Sequence, residues 1–213
     1  MKPFLDDRFH KRQGKLFVIS GPSASGKTSV VAGVQNLPGI WFSVSATTRA
    51  PRNGEKEGID YFYISKKLFE QKISNGEFLE HAVVHGNLYG TPADPIKEKI
   101  LSGVHVILDI DAQGAMQIQD KFPEAVMIYL LPPGRDVLEQ RLRDRNTEDD
   151  SSVLIRLSNA DAELKFTSRY RYLVINDLLD AAIEDIKAII RAETLLMPEG
   201  GIEETWHKSE QKS

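Results

Sequence analysis

Residues 21 to 28 read GPSASGKT, directly after the apolar run LFVIS, and their types and spacing suit the holding of a phosphate chain. Gly21 and Gly26 let the backbone wrap closely over Pro22, so that the N–H groups of Ser23, Ala24, Ser25 and the following residues can turn inward on an anion. Lys27 reaches terminal phosphates, and the Thr28 hydroxyl is a hard oxygen suited to Mg²⁺. A helix starting at this point adds the positive end of its dipole. The pattern G-x-x-x-x-G-K-[ST] between a buried strand and a helix therefore predicts binding of a nucleoside triphosphate, but does not choose between an NTPase, a motor and a kinase.

Further along stand residues that suit a second phosphate, followed by isolated polar groups in apolar runs. Arg49 and Arg52 flank Ala50-Pro51, with Tyr61 beyond them, and two guanidinium forks with a phenol suit a phosphate monoester. Glu80 sits in the apolar run FLEHAVV, and Tyr89-Gly90-Thr91 follows a turn at Gly86-Asn87. Asp109 and Asp111 close the run VHVIL, where the carboxyl end of a strand meets the crevice of an open α/β sheet. Alternate residues of a strand share a face, so both carboxylates can enter one site.

These residues require a scaffold of βα units. Val/Ile/Leu-rich runs predict strands at 15–20, 41–45, 104–110, 126–131 and 172–176, with helices from Gly26 toward Asn36, from Pro92 to Gly103, after Asp111, from Arg135, and from Asp177 to about Met197. The expected class is α/β, a three-layer P-loop core around a parallel sheet. The rhythm breaks over 45–91, where Tyr61–Ile64 and Phe78–Val84 read as strands around a helix capped by Ser65 and ended by Gly76, an inserted and mostly β lobe. The charge-dense stretch around 135–157, which holds Arg141, Arg145 and Arg156, predicts a helical flap. Core segments are then 15–44, 92–134 and 158–197, between an extension at 1–14 and a polar tail at 198–213.

Composition narrows the function classes. The 213 residues carry 27 Lys plus Arg against 31 Asp plus Glu, a net charge of -4, so no general basic field invites nucleic acid or an anionic membrane. With no cysteine, thiolate metal sites, disulfides and cysteine nucleophiles are excluded. The first residues lack the apolar core of a secretory signal and no apolar run is long enough to span a bilayer, so the expected location is cytoplasmic.

Four stretches, GPSASGKTS, VSATTRAPRNGEKEGIDYFY, GEFLEHAVVHGNLYGT and ILDIDAQGA, in this order, resemble the guanylate kinase family over about Lys15 to Met197. The resemblance implies ATP and GMP as substrates, Mg²⁺ with the ATP, and a GMP-binding lobe and lid on the core. It implies that Arg49, Arg52, Tyr61 and Tyr89 hold the GMP phosphate and that Ser45, Glu80, Thr91 and Asp111 read the guanine. Guanine chemistry agrees, since its N1–H and N2–H₂ donors match a carboxylate and its O6 matches a hydroxyl. Arg141 is implied near the adenine, Arg145 and Arg156 near the transferring group with Lys27 and Arg49, and Asp109 near Mg²⁺ through water. Asn146 and Arg171 depart from the family pattern, which usually has Gly and Asp there. Scaffold proteins and kinases of other phosphorylated acceptors share parts of this pattern; the complete phosphate loop and the guanine-reading set argue against both.

Overall fold

The computed structural model describes residues 13–84, 86–144 and 150–196. Its strands are β1 (Leu16–Ser20), β2 (Ile40–Phe42), β3 (Ala46–Thr47), β4 (Phe62–Tyr63), β5 (Phe78–Val84), β6 (Asn87–Pro92), β7 (His105–Asp109), β8 (Val126–Leu131) and β9 (Tyr172–Ile175). Its helices are α1 (Lys27–Val34), α2 (Lys66–Ser74), α3 (Ala93–Leu101), α4 (Ala112–Lys121), α5 (Arg135–Arg143), α6 (Asp150–Glu163) and α7 (Leu179–Thr194), with a 3₁₀ helix at Leu164–Arg169. None of the described helices is long and apolar enough to cross a membrane.

β1 is LFVIS, buried at every position, as a strand covered on both faces must be. It lies at the centre of a five-stranded sheet of order β2-β7-β1-β8-β9, and all its pairings are parallel. Side chains alternate: Leu16 and Val18 pack with Ile96 of α3 and Ala115 and Ile118 of α4, while Phe17 and Ile19 pack with Val30 and Val34 of α1 and Ala182 and Ile186 of α7. The core is therefore a helix–sheet–helix sandwich, the expected three-layer α/β architecture. The parallel register pairs Ile19 with Asp109, so β1 and β7 reach the same edge together.

The second sheet has order β4-β3-β6-β5. Its hydrophobic centre is Phe69 of α2 stacked on Phe78 at 4.5 Å between ring centroids, and Ser65 caps α2 by accepting from the Leu68 N–H at 3.2 Å. Two of its strands, β3 and β6, have no counterpart among the strands expected from sequence. β3 is only two residues long, and β6 contains Gly90 and Pro92, which weaken any strand signal. Gly90 has a packing reason: an added Cβ would lie 2.9 Å from Phe69 Cζ and 3.0 Å from the Phe78 ring.

The stretch expected as a flap contributes α5 and the first part of α6, and α6 continues unbroken past 157 to Glu163. Leu138 and Leu142 of α5 and Val153, Leu157 and Ala160 of α6 share a small core with Ala24 of the phosphate loop. Residues 145–149, with Arg145 and Asn146, lie outside the described residues, as do 1–12 and the tail from 197.

Arg171, one of the departures from the family pattern, has a structural role. Glu193 of α7 is buried and accepts from Tyr172 OH at 2.7 Å and Lys15 Nζ at 3.0 Å, with Arg171 Nη1 at 3.3 Å. Burial alone would raise the Glu193 carboxyl, but the hydrogen bonds from Tyr172 and Lys15 and the charges of Lys15 and Arg171 outweigh it and hold it below the ordinary glutamate value. Glu193→Gln is therefore expected to cost about 2 kcal/mol of stability, read as a fall of about 4–8 °C in melting temperature. Because the native pKa is lowered, this contribution is complete above the ordinary glutamate pKa and disappears as pH falls through the native one; thermal melts of both proteins across that range check the sign.

Candidate functional site

A cleft of about 640 Å³ opens at the carboxyl edge of the parallel sheet and faces the second sheet. Into it converge Gly21, Ser23, Lys27 and Thr28 of the loop after β1, Asp109 and Asp111 at the end of β7, and Arg156 of α6. Ser45, Arg52, Tyr61, Glu80 and Tyr89 form the opposite wall. Residues far apart in sequence thus meet along one wall or the other of a single cavity.

The loop adopts conformations that its glycines permit: Gly21 has φ 152° and Gly26, at the N-cap of α1, has φ 93°. Ala24 adopts φ 66° without being glycine, a feature the sequence does not signal, and it is buried against α5 and α6. The Ser25 N–H closes the loop on the Pro22 carbonyl at 3.1 Å. The Lys27 ammonium donates to the Gly21 carbonyl and, at 3.3 Å, to the Pro22 carbonyl, across the mouth of the loop. Arg156 Nη1 donates to Ser23 Oγ at 2.7 Å, attaching α6 to the same loop.

Asn176, just beyond β9, is a residue that sequence reasoning missed. Its buried side-chain amide donates to the Ser25 carbonyl at 2.8 Å, and its main-chain carbonyl accepts from Arg141 Nη2 at 2.8 Å. Arg141 therefore stands behind the loop and does not line the cleft.

On the opposite wall Glu80 is buried, and its neighbour across the β5–β6 pairing, Thr91, donates its hydroxyl proton to Glu80 Oε1 at 2.5 Å. Thr91 has a single proton, so across the 3.4 Å contact Ser45 is the donor, giving a chain Ser45→Thr91→Glu80. Burial lifts the Glu80 carboxyl to about 7; Thr91 and Lys121 oppose the rise and Asp111 adds to it. Asp111 caps α4 by accepting the Gly114 N–H at 2.8 Å. Burial also raises Asp109, against the nearby Lys27 charge, and lifts Tyr61 to about 12, so Tyr61 remains a hydroxyl donor at neutral pH.

Arg49 does not line the cleft. Its guanidinium forks onto Glu55, Nη1 to Oε2 at 3.0 Å and Nη2 to Oε1 at 2.9 Å, while Nε donates to Tyr89 OH at 3.1 Å. Glu55 also accepts the Arg52 N–H at 2.7 Å and Tyr63 OH at 2.8 Å, and the hydrogen bonds from Arg49 lead the effects that lower its carboxyl to about 2. Sequence reasoning overlooked Glu55; its only signal is an acid six residues after an arginine, which is common in loops. Glu163 also lines the cleft, its carboxyl raised by burial.

Thr28, Asp109 and Asp111 offer only oxygen donors, which suits a hard cation. The described residues contain no group of three or more His, Cys, Asp or Glu arranged to hold a metal ion, so these oxygens match a cation held largely by phosphates better than one caged by protein.

A glycine loop, a following helix and a parallel sheet that ends at the same cleft define a P-loop nucleotide-binding protein. The guanylate kinase family model matches residues 13–193. Guanylate kinase from Fusobacterium nucleatum is 46% identical over 177 residues, 83% of this chain and 96% of that protein. The Thermotoga maritima guanylate kinase is 44% identical over 182 residues, 85% of this chain and 88% of its own. In three dimensions the guanylate kinase of Anaplasma phagocytophilum superposes with a TM-score of 0.74 at 34% identity, covering 87% of this chain and 89% of that one. The chain belongs to the guanylate kinase family, whose reaction moves a phosphoryl group from ATP to GMP.

The left-handed turn at Gly26 is a test of the loop. A Cβ there would lie 2.1 Å from Asn176 Nδ2, and the positive φ adds a penalty of its own. Gly26→Ala is expected to weaken ATP binding by about tenfold or more, measured by titration calorimetry, because both effects distort backbone N–H groups that must converge on phosphate.

Proposed function

We propose that the γ-phosphoryl group passes directly from ATP, bound at the loop of Gly21 to Thr28, to a phosphate oxygen of GMP, or of dGMP, held against the second sheet. What carries this reading is the Ser45–Thr91–Glu80 chain facing Asp111 across the cleft from the phosphate loop. A buried carboxylate accepts the guanine N1–H and N2–H₂ pair and a hydroxyl donates to O6, whereas adenine presents an acceptor at N1 and leaves these groups unpaired. Sites of this kind discriminate by roughly 10⁴.

The acceptor phosphate is assigned to Arg52, Tyr61 and Tyr89, which line the cleft, with Arg49 behind them. Arg49 is engaged by Glu55, so its share of the charge reaches the phosphate through Tyr89 and the loop it holds, or after Glu55 yields. Lys27 leaves the loop carbonyls to meet the ATP phosphates. Arg156 and, by family resemblance, Arg145 stabilise charge on the group in transfer, and Arg141 serves the adenine side. Thr28 and, through water, Asp109 would hold Mg²⁺, which when bound neutralises phosphate charge. In-line transfer of this type needs positioning and electrostatics rather than a protein nucleophile. The inserted lobe 45–91 and the flap 135–157 are the parts assigned to closing over the reactants and excluding water, in a cytoplasmic setting, with neither nucleic acid nor membrane as partner.

ADP formation from MgATP is the direct test, with GMP, dGMP, AMP, CMP, UMP or no acceptor at equal concentration. Turnover is expected with GMP and dGMP alone, and turnover with AMP at a comparable rate would reject the guanine-reading assignment. Glu80→Gln is expected to raise KM for GMP about a hundredfold and leave KM for ATP within about twofold. The lifted Glu80 carboxyl also sets a pH dependence. The carboxylate is the acceptor guanine needs, so kcat/KM for GMP is expected to fall as pH drops through about 7. The Glu80→Gln variant lacks this component of the profile and keeps only that of the GMP phosphate.

A further inference from the structure

α4 lies along β5 with one face, and three residues of that face meet the strand in turn. Lys121 Nζ donates to the Leu79 carbonyl at 2.5 Å, and Gln117 Nε2 donates to the His81 carbonyl at 2.7 Å while its Oε1 accepts the His81 N–H at 3.3 Å. One helical turn nearer the N-terminus, on the same face, is Gly114. It faces the carboxyl group of Glu80, the residue between the two that Gln117 and Lys121 hold.

A Cβ on Gly114 would lie 2.5 Å from Glu80 Oε2, 3.0 Å from Glu80 Cδ and 3.4 Å from Asp111 Oδ1. The first distance is far inside van der Waals contact. The Glu80 carboxylate has little freedom to avoid the methyl, because Oε1 is held by Thr91 and the side chain is buried. The backbone conformation at Gly114 calls for no glycine, since its φ is not among the positive ones. Alanine would be the better helix former there. The glycine thus stands against helix propensity at a point of α4 where any side chain would meet Glu80 Oε2.

We infer that Gly114 is a positioning residue for acceptor-base specificity: its missing side chain is the space in which Glu80 sits beside Asp111, so a methyl group there pushes the carboxylate off the guanine edge. The inference rests on the assignment of Glu80 to the base. It extends that assignment from side chains that contact the base to a backbone position on the parallel-sheet side of the molecule.

Gly114→Ala, Glu80→Gln, Glu80→Asp and the double variant Glu80→Asp/Gly114→Ala are compared with wild type, using GMP and AMP as acceptors and reading melting temperature. Gly114→Ala is expected to raise KM for GMP about ten- to a hundredfold, narrow the GMP-to-AMP preference and leave KM for ATP within about twofold. In Glu80→Asp the carboxylate is drawn back by a methylene, so adding the methyl should cost less than about threefold on that background, a non-additivity that marks direct contact. If Glu80→Gln raises KM for GMP but Gly114→Ala does not, the inference on Gly114 is overturned and the base assignment stands. If Glu80→Gln leaves KM for GMP unchanged, the base assignment fails and takes the inference with it. A parallel loss of ATP affinity and melting temperature in Gly114→Ala would show a merely structural glycine and overturn the inference. Should Gly114→Ala prove insoluble, the double variant decides against Glu80→Asp alone, and an added loss above about tenfold overturns the inference.

Discussion

The parallel pairing of β1 with β7 is the constraint on which the rest of the molecule depends. Parallel strands deliver their carboxyl ends to one edge, and the register that sets Ile19 beside Asp109 brings the phosphate loop and the acidic end of β7 out at the same place. Everything cationic or hydroxylic in the cleft is arranged around that edge. α1 begins there, α6 reaches it through Arg156 and Ser23, and the second sheet presents Arg52 and Tyr61 to it. In a chain of net charge -4, an anion site has to be assembled locally from several elements, because no global field supplies it.

The same logic explains the polar interior of the second sheet. Arginines three residues apart repel one another, and Glu55 offsets that by accepting from the Arg49 guanidinium, the Arg52 backbone and the Tyr63 hydroxyl at once. Arg49 in turn crosses over the Tyr61 ring at 5.5 Å and bonds Tyr89, so cations, carboxylate and phenols form one connected patch. Such a network is held in shape before any ligand arrives, which reduces the ordering cost of binding.

Much of this was legible in the sequence, and the exceptions have physical reasons. The inner strands of the parallel sheet announce themselves because burial on both faces demands continuous apolar runs, and β8 matches its expected bounds at 126–131, as does β5 of the second sheet at 78–84. The cleft gathers Lys27 and Thr28 of the phosphate loop with Asp109 and Asp111 of the β7 end, and also Glu80, which only the family resemblance had singled out. β3 escaped notice because it is two residues long and pairs with strands distant in sequence, and β6 because Gly90 and Pro92 weaken its strand signal although its hairpin partner β5 is adjacent. Glu55 and Asn176 were missed for a related reason. Each acts by a hydrogen bond to a group that carries no pattern of its own, an arginine already given another task in one case and a loop carbonyl in the other. The sequence also gives no sign that Arg49 engages Glu55 and Tyr89 and Arg141 the Asn176 main-chain carbonyl, since a residue's type does not reveal which of two nearby acceptors it will choose.

The attachment of α4 to β5 uses main-chain atoms on the strand side, the Leu79 carbonyl and both polar groups of His81. These bonds answer only to where the strand's backbone runs, whereas Leu79, packed with Ala115 and Ile118, and Glu80, set against Gly114, tie two of its side chains to the same helix. The strand is thus held to α4 by its backbone and by its side chains at once, and its path and its sequence are constrained together.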